Sequence, residues 1–174
     1  MSHEKTFQQS LWKLIKDIKF GMLSHRHGDG SMHAHPLTTQ NHSLEPGEPL
    51  YFFVSKKTEV GQRLRADGNC CISYADLKED RWVSVSGHAI VSEDLDTKKK
   101  LFNALAKAWF PGGAEDPDLE LIAVTIQHAE YWDIQESKTT QLFKMATATV
   151  TGDKPDMGEH REMHVGAGEP VTHD

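Results

Sequence analysis

Two histidines, His33 and His35, lie two apart in "SMHAHPLTTQ" (31–40), a stretch that reads as a strand. A strand sets residues i and i+2 on one face, so both imidazoles can address one object. Three chemistries answer to such a pair. A metal site needs three or four ligands; His25, His27, His42 and His88 are further candidates, but none completes a recognised spacing such as the helical His-Glu-x-x-His, so no metal set is read. The second is an ordinary hydrogen-bonded histidine beside the core. The third is a strand lying along a flat ligand, with Pro36 halting local pairing so that neighbouring backbone groups face that ligand.

A second segment, "FFVSKKTEVGQRLR" (52–65), reads as a strand running into a helix. Thr58 is placed to cap that helix, and the open N–H groups and dipole of its first turn favour an anion. Lys56, Lys57, Arg63 and Arg65 stand there against Glu59 alone, which makes this the one locally basic segment. A phosphate suits such a place; Glu59 competes with it, and a plain solvated helix has the same composition. Trp82, Tyr131–Trp132 and Trp109–Phe110 are aromatic groups whose ordinary role is packing. The adjacent Cys70 and Cys71 cannot bridge each other without strain and read as structural residues, one facing in and one out. No glycine-rich nucleotide loop, nucleophile elbow or paired-carboxylate spacing is present, so no catalytic group is assigned.

These segments must be held by a definable set of elements. Phe7, Leu11, Leu14, Ile15 and Ile18 recur at helical spacing and predict a first helix ending at Gly21. "FGMLSH" (20–25), 31–40 and "PLYFFVS" (49–55) read as strands separated by "HGDG" and "EPGEP", followed by the helix at 58–66. "NCCISYAD" and "RWVSVSGHAIV" return to strand character. "DLDTKKKLFNALAKAWF" is expected to form one helix with Leu101, Phe102, Leu105 and Trp109 on a single side, and "LELIAVTIQHAEYWDIQ" two strands. The order α-β-β-β-α-β-β-α-β-β, with short connections, predicts a mainly β, antiparallel barrel with flanking helices. A single domain over 1–143 is expected, with 144–174 a small, polar extension.

The 19 Lys and Arg against 26 Asp and Glu give a net charge of −7. Nucleic acid and anionic membrane are therefore poor partners. The longest apolar run is "LYFFV", and "MSHEKTFQQS" has neither a basic nor an apolar leader region, so no membrane span or secretion signal is read and a cytoplasmic setting is expected.

Taken in order, "FGMLSH", "HAHPLT", "LYFFVSKKTEV", "WVSVSGHAIVSED", "AWFPGGAEDPDLELIAVTI" and "AEYWD" resemble the general stress protein branch of the pyridoxamine 5'-phosphate oxidase-like family. Its members form FMN-binding split β-barrels with a Greek-key-like sheet. The resemblance implies a homodimer with flavin sites at the subunit interface, FMN (or FAD) as cofactor, and an oxidoreductase-like role in stress response with an open substrate. It implies that His35, Pro36, Leu37 and Thr38 lie along the ring and ribityl chain, with His33 a same-face neighbour of His35. Phe53, Val54 and Ser55 would border the ring. Thr58, Glu59 and Val60 would stand at the phosphate, near Lys56 and Lys57, and Trp82 would neighbour the flavin. The family commonly carries arginine where this chain has His35 and lysine where it has Val60, which removes two charge-assisted phosphate contacts. The tail lacks the Arg/His-rich terminal motif of authentic pyridoxamine phosphate oxidase. The alternative reading is a barrel that binds haem or a metal, or a cofactor-free interaction protein.

Overall fold

The computed structural model describes residues 6–134, 138–152, 154 and 158–164. Helix α1 (Phe7–Ile18) opens in a capping box: Gln9 N donates to Thr6 Oγ1 at 3.2 Å, and Thr6 N donates to Gln9 Oε1 at 3.1 Å. The helix stops at Lys19, whose φ of 66° is left-handed, two residues ahead of the glycine read as its end. Its apolar face, Phe7, Leu11, Leu14 and Ile15, is buried in the core.

Strands β1 (Phe20–Arg26) and β2 (Met32–Thr38) form a hairpin; β3 (Leu50–Ser55), helix α2 (Glu59–Ala66), β4 (Asn69–Asp76) and β5 (Arg81–Ser92) follow. After α3 (Leu95–Leu101), α4 (Ala104–Trp109) and a short 3₁₀ turn come β6 (Leu119–Asp133), α5 (Lys138–Thr151) and β7 (Glu159–His164). All pairings are antiparallel, in the order β2-β1-β4-β5-β6-β3, with β7 added beside β6. A bridge between Thr39 and Phe52, joined by a bond from Gln40 N to Tyr51 O at 2.9 Å, brings the free side of β3 back to the end of β2. The sheet thus curls into the expected barrel architecture, as a sheet must when both of its edge strands approach each other.

Three local expectations are corrected. Residues 119–133 form one long strand, because β6 serves two neighbours: Leu119–Val124 pair with β3 and His128–Asp133 with β7, while β5 runs along both halves. Between the two halves the β5–β6 register shifts at Ser86/Gly87, and a Cβ on Gly87 would stand 2.2 Å from Thr125 O, so only glycine permits that approach. The single helix expected at 94–110 is two. Phe102 is extended, and Asn103 Oδ1 accepts from Ala106 N at 3.0 Å, so a new helix is capped where the first one ends. Leu101 is buried, but Leu105 and Trp109 are 54% and 78% exposed rather than sharing a buried side. Nor does Pro36 halt pairing: the β1–β2 ladder runs from Arg26↔Met32 to Phe20↔Thr38, with Pro36 opposite Met22. Proline is tolerated there because β2 stands at the edge of the sheet.

The barrel's inner face holds the core. Leu23, Ile72, Val85 and Ala129 form one row across β1, β4, β5 and β6, each essentially inaccessible. At one end α1 joins them, with Phe7 against Tyr131 at 5.3 Å between ring centres. At the other, α2 contributes Val60 and Leu64. Within the segment taken as an extension, β7 is a strand of the sheet; residues 153, 155–157 and 165–174 lie outside the described residues. No helix among the described residues is long and apolar enough to cross a membrane.

Candidate functional site

The β1–β2 hairpin decides where the histidines meet. Its turn is set by Gly30 at φ 88°, by Gly30 N donating to His27 O, and by Asp29 Oδ1 accepting from both the amide and the hydroxyl of Ser31. The resulting register places His25 opposite His33 and Leu23 opposite His35. Cross-strand partners share a face, so His25, His33 and His35 all project to the inner side. His25 and His35 stack with ring centres 5.1 Å apart, and His27 and His33 stack at 4.4 Å.

Helix α2 brings a carboxylate to these rings. The β3–α2 turn is pinned by Ser55, whose Oγ donates to Asp118 Oδ2 at 2.7 Å and whose carbonyl accepts from Thr58 Oγ1 at 2.7 Å. Thr58 Oγ1 in turn accepts from Gly61 N at 3.3 Å and caps the helix as the sequence predicts. Gly61 is required at this junction, since a Cβ there would stand 2.5 Å from Ser55 O. The helix is also tied to the hairpin by a bond from Arg63 Nε to Arg26 O at 3.1 Å. Glu59, first residue of α2, lies with Oε1 at 2.6 Å from Nδ1 of both His27 and His33, and Oε2 at 3.7 Å from His35 Nε2. Partial burial alone would raise the Glu59 pKa, but the hydrogen bonds from His27 and His33 outweigh it and hold the carboxyl below its usual range. Burial, and after it the neighbouring His25, pushes His35 below an ordinary imidazole, with Glu59 opposing.

Three buried polar atoms without a hydrogen-bond partner lie in this corner. His25 is fully buried, and neither of its ring nitrogens has a partner; His35 Nε2 is buried and unpartnered as well. An unsatisfied buried polar group is costly, so three such atoms on two stacked imidazoles beside one carboxylate mark a place kept for something other than stability.

Of the residues proposed from sequence, His33 and His35 do share a face, and both meet Glu59. Leu37 continues that face, whereas Pro36 is exposed on the opposite one; Thr38 ends the strand. Phe53 and Ser55 are partly exposed, and Phe53 sits 6.1 Å from the Phe102 ring. Val54 and Val60 are core residues with about 4% of their surface exposed, so they can offer only backbone to a ligand. Lys56, Lys57 and Thr58 are exposed at the helix start. Trp82 is not brought to the group within one chain: it lies on β5, three strands from β2, on the face opposite to Val83 and Val85, paired in register with Trp132.

Sequence reasoning did not join His25 and His27 to this site. The usable signal was a second His-x-His across the hairpin turn, in "HRHGDGSMHAH" (25–35), which antiparallel pairing folds onto the first.

The profile of the family described as "Pyridoxamine 5'-phosphate oxidase like" matches residues 7–156. A protein named general stress protein 26 from Jannaschia sp. CCS1 superposes with a TM-score of 0.68 at 24% identity, covering 89% of this chain and 96% of that one. The general stress FMN/FAD binding protein of Xanthomonas citri is 30% identical with a TM-score of 0.62, covering 75% of this chain and 90% of that one. Among curated proteins, protein bli-3 of Neurospora crassa is 28% identical over 125 residues, 67% of this chain and 60% of its own length. With the profile spanning nearly all of the barrel and these folds superposing on it, the chain belongs to the pyridoxamine 5'-phosphate oxidase-like family.

Proposed function

We propose that this chain is a flavin-binding protein of the general stress type. FMN (or FAD) would lie across β2 and the start of α2, and would serve a redox role in a homodimer whose flavin sites stand at the subunit boundary. The observation that carries the reading is the meeting of two segments far apart in sequence. The strand 35–38, where ring and ribityl chain are expected, reaches the start of α2, where the phosphate is expected, with His35 Nε2 3.7 Å from Glu59 Oε2.

The residues of β2 and of the β3–α2 turn fit such a group. The amides of Glu59 and Val60 open α2 and are the ones a helix leaves unpaired. They and the helix dipole would hold phosphate oxygens, with the exposed Lys56 and Lys57 adding charge. Leu37 and Phe53, two of the positions expected along the ring, are partly exposed apolar side chains. Glu59 opposes an anion there, as do the carboxylates of Asp118, bonded to Ser55, and Asp116, which interacts with Lys57. A bound flavin supplies electron-transfer chemistry, while the chain's own groups bind and orient it. The similarity to the Xanthomonas citri protein, described as binding FMN or FAD, supports the choice of ligand.

The test is a flavin-fluorescence titration of the wild type and of a double variant, Lys56→Glu with Lys57→Glu. Loss of two charge-assisted contacts should weaken FMN by about tenfold or more, with unchanged thermal stability. Equal affinity in both proteins would remove the phosphate from the start of α2.

A further inference from the structure

The groups facing one another at the hairpin and α2 make up a metal-ion donor set. We infer that His25, His35 and Glu59 form a site for one divalent transition-metal cation of the zinc class, with His27 and His33 orienting the carboxylate.

Four observations carry this. The donor atoms of His25, His35 and Glu59 all lie within 4.8 Å of one another. Glu59 Oε2 and His35 Nε2, 3.7 Å apart, are near the roughly 3.3 Å that separates two ligands at about 2.0–2.1 Å from a tetrahedral zinc ion. Both nitrogens of the fully buried His25, and Nε2 of His35, have no hydrogen-bond partner, so each retains a lone pair or an N–H with nothing to meet. The other carboxylate oxygen, Glu59 Oε1, is held at 2.6 Å by Nδ1 of both His27 and His33, and His33 Nε2 lies 3.2 Å from the Ser31 hydroxyl, itself bound to Asp29. Such an outer layer fixes a ligating carboxylate in one orientation.

The chemistry of the set selects the ion. Two imidazoles and one carboxylate suit zinc, cobalt or nickel far better than calcium or magnesium, which prefer all-oxygen cages. Three protein ligands leave a fourth position for water, and the side chains of His35 and Glu59 are about one-third exposed, so an ion can enter from solvent. A divalent ion would also reverse the sign of charge that Glu59 places at the start of α2. The inference stands on the side-chain cluster alone and does not depend on a bound flavin.

The experiment uses the full-length, tag-free protein, stripped with chelator and freed of it, titrated with Zn²⁺ against a chromophoric zinc indicator, with Co²⁺ as a spectroscopic substitute. The expected result is one tight equivalent per chain and a tetrahedral-type visible cobalt spectrum. Glu59→Gln and, separately, His35→Gln should each weaken that equivalent by about tenfold or more. Both positions are partly exposed, so the fold should survive, and a thermal melt of each variant without metal checks it. Absence of a tight equivalent, or a tight equivalent unchanged in both variants, would overturn the assignment. Flavin binding is scored separately in metal-free buffer, so failure here leaves the flavin proposal standing, and the reverse.

Discussion

Leu23 and His25 stand two residues apart on the same face of β1, and both are completely buried. The row that Leu23 enters on the β4 side is apolar, with Ile72 opposite it on β4, then Val85 and Ala129, while His35 faces it from β2. Around His25 stand Cys70 on one side and His33 and His35 on the other, with Glu59 arriving from α2. The first neighbourhood holds the barrel together by burying apolar surface. The second gives stability up, because polar nitrogens taken out of water without partners cost free energy. One strand thus passes within two residues from a region built for folding to one built for binding.

The sharpest way to break that contrast is truncation on the folding side. Leu23→Ala should lose about 2–5 kcal/mol, since the row around it has no slack with which to close the cavity. Denaturant unfolding measures it, and a loss below about 1 kcal/mol would mean that this row is not the packed centre.

On the binding side the sign should invert. His25→Leu keeps the volume and removes two unsatisfied nitrogens, so in metal-free buffer it should stabilise the fold by about 1–2 kcal/mol. A clear destabilisation would show that His25 has partners in solution that stabilise the native state.

A smaller effect comes from the neighbouring cysteines. Burial, and after it the adjacent Cys71, pushes the Cys70 thiol up to about 12. At pH 8 roughly one Cys70 in ten thousand is then thiolate, the form that reacts. Alkylation of the folded protein should therefore stop at Cys71, which is half-buried, and reach Cys70 only after denaturation; mass spectrometry of the two peptides reads this directly.

How much of this was legible beforehand follows the same division. Short apolar runs such as "LYFFVS" and the helical spacing of Phe7, Leu11 and Leu14 are local signals, and they placed the strands, α1 and the barrel class. The Thr58 cap was equally local. What failed depended on distant partners. The continuity of β6 is set by β3, β5 and β7 together, and Asn103, besides its local cap, is held from a remote segment by the bond from its Nδ2 to Gln40 Oε1 at 2.9 Å. The histidine corner was half legible: His33 and His35 announce a shared face, whereas His25 and His27 join them only through the hairpin register, and Glu59 through the docking of α2. Reading Glu59 as a mere competitor for phosphate missed that its carboxylate is already engaged by two imidazoles.

The most direct test of the central claim is the visible absorption spectrum of the purified protein after FMN is added and the excess removed by desalting. The account predicts a retained flavin spectrum at close to one flavin per chain. A colourless protein that releases all of its FMN would contradict it, and would leave β2 and the start of α2 without the ligand assigned to them.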